Sequence, residues 1–132
     1  MNHILNPLIE EGTIDGYGFQ MHHSTKQPSN SQIQTAVETI AALGLKLRVS
    51  ELDVGMPSNN DANRKEQADK YKFCMELMLR FADQTEAVQV WGISDTMSWR
   101  SSSYPLLFDK FLDPKPAFWA VIEAAESFGA DE

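Results

Sequence analysis

Residues 46–53 read Lys46-Leu47-Arg48-Val49-Ser50-Glu51-Leu52-Asp53, and this stretch decides how the chain folds. It reads as a strand that ends on two carboxylates. Just upstream, Ser29 followed by Gln32 is a capping-box signature. Ile33, Ala36, Val37, Ile40 and Ala41 then recur at helical spacing, and Gly44 supplies a stop. Before that helix, Ile14 to Gln20 reads as a short strand, weakened by Gly16 and Gly18, and His22 to Asn30 as a polar loop. Ile4, Leu5, Leu8 and Ile9 form the last turns of a helix stopped by Gly12.

Downstream, Met56 to Asn63 reads as a second polar loop. The spacing predicts a helix over Arg64–Asp83, with Ala68, Tyr71, Met75, Met78, Leu79 and Ala82 on one face. Ala87 to Ile93 reads as a third strand and Ser94 to Pro114 as irregular. A last helix is expected over Pro116–Phe128, with Pro116 accommodated in its first turn. The order is a helix tail followed by strand–helix three times. Gln20 and Glu51 lie 31 residues apart, and Glu51 and Trp91 lie 40 apart. That rhythm suits repeated βα units and a parallel sheet. No repeat, linker or low-complexity tract divides residues 1–132, so one unit is expected.

Composition narrows the function classes. The 132 residues carry 19 acidic and 11 basic side chains, a formal charge of −8. Nucleic-acid binding needs Lys and Arg to displace counterions, and anionic membranes need them too, so neither partner is expected. No apolar run is long enough to span a bilayer, and the first residues lack the pattern of a signal peptide. The single Cys74 excludes an internal disulfide and a cysteine-based zinc cluster.

Three polar clusters fall at the C-terminal ends of the three expected strands. They are Gln20-Met21-His22-His23, Glu51-Leu52-Asp53, and Trp91-Gly92 continuing to Asp95, Trp99 and Arg100. In α/β barrels and open α/β sheets this edge binds ligands. Glu51 and Asp53, two apart on a strand, share a face. Their mutual repulsion calls for a donor, and His22 on the neighbouring strand can be one. A Glu held ionised in this way can serve as nucleophile at an anomeric carbon. Three other readings stand beside it: a salt-bridged carboxylate pair with Arg48, a divalent-metal site of His22, Glu51 and Asp53, and a sugar-binding surface without catalysis. Trp99, set among Ser98, Arg100 and Ser101, suits stacking on a sugar ring. Trp91 taken alone suits core packing, and Trp119 suits packing within the last helix. Glycine-rich phosphate loops and Gly-x-Ser-x-Gly elbows are absent.

Together these segments resemble the C-terminal part of glycoside hydrolase family 10, the endo-1,4-β-xylanases. The resemblance rests on IDGYGFQMH at 14–22, RVSELDV at 48–54, VWGISDTMSWR at 90–100 and PLLFDKFLDPKPAFWAVIEA at 105–124. It implies an α/β fold, a partial (β/α)8 TIM barrel comprising strands six to eight. It implies retaining hydrolysis of xylan without a cofactor or metal. Glu51 takes the position of the nucleophile, with His22 and Asp53 as its supporting network. Gln20, Trp91, Trp99 and Arg100 take substrate-binding positions. Ser50 stands where the family usually has Thr, and His23 where it often has an apolar residue. The family's acid/base Glu lies in an Asn-Glu segment after the fourth strand, and no Asn-Glu occurs in these 132 residues. The expectation is therefore a xylanase whose remaining barrel half supplies the acid, with the 132 residues alone inactive or nearly so. The family is usually extracellular.

Overall fold

The computed structural model describes residues 2–130. Helix α1 (Asn2–Glu10) ends where expected: Gly12 turns left-handed, and the Thr13 N–H donates back to Leu8 O at 2.9 Å. Strands β1 (Gly16–Phe19) and β2 (His22–Ser24) follow. Helix α2 (Asn30–Ala41) begins at the expected capping box. Gln32 N–H donates to Ser29 Oγ, and Ser29 N–H donates to Gln32 Oε1. Then come β3 (Lys46–Gly55), α3 (Asp61–Arg80), β4 (Thr85–Val90), two single 3-10 turns, and α4 (Pro116–Ala130).

The sheet is parallel and open. β3 is central; β1 and β2 pair with one side of it and β4 with the other. Beyond β4 the loop takes over. Val54 N–H donates to Pro105 O and Met56 N–H to Ser103 O, so residues 103–105 flank the last part of β3. Leu47, Val49, Leu52 and Val54 are all buried and join Ile33, Val37 and Ile40 of α2 and Tyr71, Cys74 and Leu77 of α3 in one core. Lys46 and Arg48, on the other face of β3, are exposed.

Strict alternation cannot bury Leu47, Val49, Leu52 and Val54 together. The register explains how they manage it. Val49 pairs with Phe19 and Asp53 with His22, while Val49 pairs with Val88 and Leu52 with Val90. Between those pairs β3 holds one residue more than either neighbour. This bulge resets the alternation. Glu51 and Asp53, in phase with Leu47 and Val49 by counting, are thereby turned toward His22 rather than into the core.

Several expected boundaries move. His22–Ser24 is a strand paired with Asp53–Gly55, not a loop. Left-handed Met21 (φ 62°) kinks the chain, which then rejoins the same edge of β3. β3 runs two residues further than expected, because β2 continues to pair with it. α3 starts at Asp61 rather than Arg64, since Asn60 Oδ1 accepts from the Asn63 N–H and caps it. β4 ends at Val90, so Trp91–Ile93 lie outside the strand. Cys74 and Leu77 are deeper than Met75, which is only half-buried. Trp119 is 58% exposed, with its ring edge-on to Phe118, and does not pack inward.

Candidate active site

The C-terminal end of the sheet gathers five of the seven residues singled out from the sequence. His22 Nε2 lies 2.8 Å from Glu51 Oε2, and His22 Nδ1 lies 3.0 Å from Asp53 Oδ2. Trp99 Nε1–H donates to the same Asp53 Oδ2 at 2.9 Å. Arg100 Nη2 stands 3.1 Å from Asp53 Oδ1 and also donates to the backbone carbonyl of His23. The His22 and Trp99 rings meet edge-to-face at 5.0 Å.

The two carboxylates are differently placed. Asp53 is fully buried, whereas the Glu51 side chain retains 23% exposure. Each short contact between an imidazole nitrogen and a carboxylate oxygen is repulsive unless a proton lies between them. His22 Nε2 hydrogen-bonds Glu51, Nδ1 lies at ion-pairing distance from Asp53, and the Arg100 guanidinium stands beside Asp53 on its other oxygen. Asp53 accepts from Trp99 and has His22 and Arg100 at ion-pairing distance. Glu51 alone presents a carboxylate oxygen to solvent.

A long excursion brings Trp99 and Arg100 over Asp53, and its anchors are buried. Lys115, 1% exposed, contacts both Asp95 oxygens at 3.0 and 3.2 Å and donates to Tyr104 O at 2.8 Å. Asp95 Oδ1 also accepts from the Leu106 N–H at 2.8 Å. Burial pushes the Lys115 ammonium below the usual lysine range despite Asp95. From α3, Gln67 Nε2 donates to both Val54 O and Tyr104 O at 2.7 Å, and the Tyr71 hydroxyl donates to Pro105 O. Burial foremost, and then the negative charge of Asp53, hold the Tyr71 phenol well above its usual range.

Gln20 and Trp91 join this edge through their backbones. Gln20 O accepts from the Glu51 N–H, and the Trp91 N–H donates to Leu52 O. Both side chains are exposed, Trp91 by 43%, so Trp91 is not a core residue. Arg48 does not pair with Glu51 or Asp53; it reaches Gln89 at 3.2 Å, and Arg100 is the guanidinium at Asp53. Among the described residues no group of three or more His, Cys, Asp or Glu side chains is arranged to hold a metal. His22 instead directs both nitrogens at carboxylates. His23 points away from His22 and is buried with neither ring nitrogen hydrogen-bonded. Burial, reinforced by the charge of Lys70, pushes its imidazole down to about 4. No local pattern points to the Asp95–Lys115 pair or to Gln67, because residues far apart along the chain make these contacts.

Comparison with known proteins gives the family and the fold. The model of the family described as "Glycosyl hydrolase family 10" matches residues 1–124. A bifunctional endo-1,4-β-xylanase from Ruminococcus flavefaciens is 39% identical over 90% of this chain and 12% of its own length. An endo-1,4-β-xylanase from Geobacillus stearothermophilus is 34% identical over 90% of this chain and 42% of its own. Among solved structures, a thermostable variant of a Cellvibrio japonicus xylanase superposes with a TM-score of 0.86. It is 32% identical and covers 92% of this chain and 43% of that one. A xylotriose complex of a variant xylanase from Thermoanaerobacterium saccharolyticum superposes at 0.84, with 37% identity over 92% of this chain and 38% of that one. The chain thus spans less than half the length of these relatives.

Proposed function

Since the chain belongs to glycosyl hydrolase family 10, we propose that it supplies the nucleophile side of a retaining endo-1,4-β-xylanase. Three βα units of a (β/α)8 barrel present Glu51 at the strand ends, where barrel enzymes work. Glu51 Oε1 attacks the anomeric carbon of a xylosyl unit, and the bond to the leaving oxygen breaks. A carboxylic acid from another strand of the assembled barrel protonates that oxygen. Water activated by the same group then releases the sugar with retained configuration. His22 holds Glu51 through Oε2 and leaves Oε1 to attack. Asp53 fixes the imidazole. Trp91 and Trp99 offer rings to the apolar faces of the sugars, and Gln20 offers an amide.

The observation that carries this reading is the chain of contacts from Glu51 through His22 to a fully buried Asp53. It holds one solvent-facing carboxylate ready for attack. Retaining hydrolysis needs a second carboxyl about 5–5.5 Å away. Asp53 cannot serve, being buried on the same strand, bonded by Trp99 and flanked by His22 and Arg100. The 132 residues alone therefore bind xylo-oligosaccharide without cleaving it, and hydrolysis requires the rest of the barrel.

The test joins residues 1–132 behind the preceding strands of the Geobacillus stearothermophilus relative. This assembled barrel should hydrolyse xylan. Glu51→Ala should abolish the reaction, and azide should restore turnover as a glycosyl azide of inverted configuration. An E51A barrel that retains wild-type turnover would refute the proposal. Hydrolysis by residues 1–132 alone would refute the division of labour.

A further inference from the structure

Arg100 reaches Asp53 rather than lying along an open groove. Its Nη2 stands 3.1 Å from Asp53 Oδ1 and donates to the His23 carbonyl, and its own N–H donates to Ser98 Oγ at 3.1 Å. The guanidinium rests on Gly55. A Cβ there would lie 3.0 Å from Nη2 and 3.1 Å from Ser103 Cβ. Gly55 has no left-handed backbone to explain it, and the space it leaves is filled by Arg100 and Ser103. Around this buried carboxylate stand His22 from β2 and Trp99 and Arg100 from the loop, and its charge reaches Tyr71 of α3. Arg100 is the cation in contact with it.

We infer that Arg100 is a positioning residue for Glu51, acting through Asp53 and His22, and that Gly55 is the seat that admits it. A buried carboxylate without a matched cation is costly. Without Arg100, Asp53 loses its hold on Oδ1, His22 loses its fixed partner, and Glu51 loses its aim. A misplacement of about 1 Å costs a reacting group about 100-fold in rate. This inference rests on Glu51 being the nucleophile. It differs from a role for Arg100 in gripping substrate, which would change affinity rather than attack.

The test uses the assembled barrel and a dinitrophenyl 2-deoxy-2-fluoro-β-xylobioside. Its leaving group departs without acid help, so the rate of covalent labelling reports attack by Glu51 alone. R100A should slow labelling about 100-fold with little change in reagent affinity. Millimolar guanidinium should restore much of the rate. R100K should recover part of it, and G55A should slow labelling less than R100A does. Circular dichroism and melting temperature confirm that each variant is folded. Labelling of folded R100A at the wild-type rate would overturn the inference. So would a loss confined to affinity, or a slowed variant that guanidinium does not rescue. Absence of labelling in the wild-type barrel would overturn the nucleophile assignment itself, and the inference with it.

Discussion

His23 is a buried base that makes stability depend on acid. Its imidazole sits in the core with neither nitrogen hydrogen-bonded and with Lys70, Arg100 and His22 nearby. Burial and those charges lower it from 6.5 to about 4. The folded chain therefore resists protonation that the unfolded chain accepts. Stability is full above about pH 6.5, falls as pH drops toward 4, and levels off below that. At about 1.36 kcal/mol per unit, the whole shift amounts to about 3 kcal/mol, of which about 2 kcal/mol is lost between pH 7.5 and pH 5. For a chain of this size, with a urea slope of about 1–3 kcal/mol per molar, the midpoint should drop by about 1 M. His23→Leu replaces the ring with an apolar side chain in the same core position and removes the titration. Urea unfolding of the wild type and H23L, each at both pH values and at one protein concentration, isolates the effect. Other titrating groups and any association contribute equally to both. The wild type should lose about 2 kcal/mol more than H23L does. Equal losses in the two proteins would refute the assignment of a neutral, buried His23.

Other consequences are equally accessible. Lys115→Met leaves Asp95 buried beside only the Leu106 N–H, and should cost about 3–5 kcal/mol in urea unfolding; D95N/K115M should recover most of it. Failure of the double variant to improve on K115M would refute the pairing. Trp99→Phe removes the indole N–H from Asp53 Oδ2 and should cost about 1–3 kcal/mol through an under-satisfied buried acceptor. An unchanged midpoint would mean that Asp53 is not held from that side. Within the described residues β1 and β4 each pair only with β3. Open edges invite further pairing, so residues 1–132 alone should elute in size-exclusion chromatography as more than a monomer. A stable monomer with a cooperative melt would contradict that.

Much of this arrangement was legible in the residues. The capping box at Ser29 and Gln32, the stop at Gly44 and the βα rhythm placed the parallel pairing of β3 with β1 and with β4. The polar clusters at the strand ends are the segments whose side chains meet in the candidate site. The β3 bulge was not legible. Counting in twos put Glu51 and Asp53 on one shared face correctly, but it also put them in phase with Leu47 and Val49, and only the register shows how they escape the core. His22–Ser24 hid as a loop because both histidines and the serine are polar, although β2 pairs regularly with β3. The resemblance gives Arg100 a substrate-binding position; its contact with Asp53 is a further feature, made because a loop of many residues folds back over β3. That path depends on Asp95, Lys115 and Gln67, whose partners lie far away in sequence. Tertiary hydrogen bonds of that kind leave no local pattern to read.

The proposed reaction turns on one carboxylate oxygen of Glu51. The most direct measurement is to incubate the assembled barrel with the fluorinated xylobioside, digest it, and locate the modified peptide by mass spectrometry. With Glu51 as nucleophile, one label per molecule is expected, on the peptide spanning β3, with fragmentation placing it on Glu51. A label on any other carboxylate, or full turnover of xylan by a barrel in which Glu51 is never labelled, would contradict it.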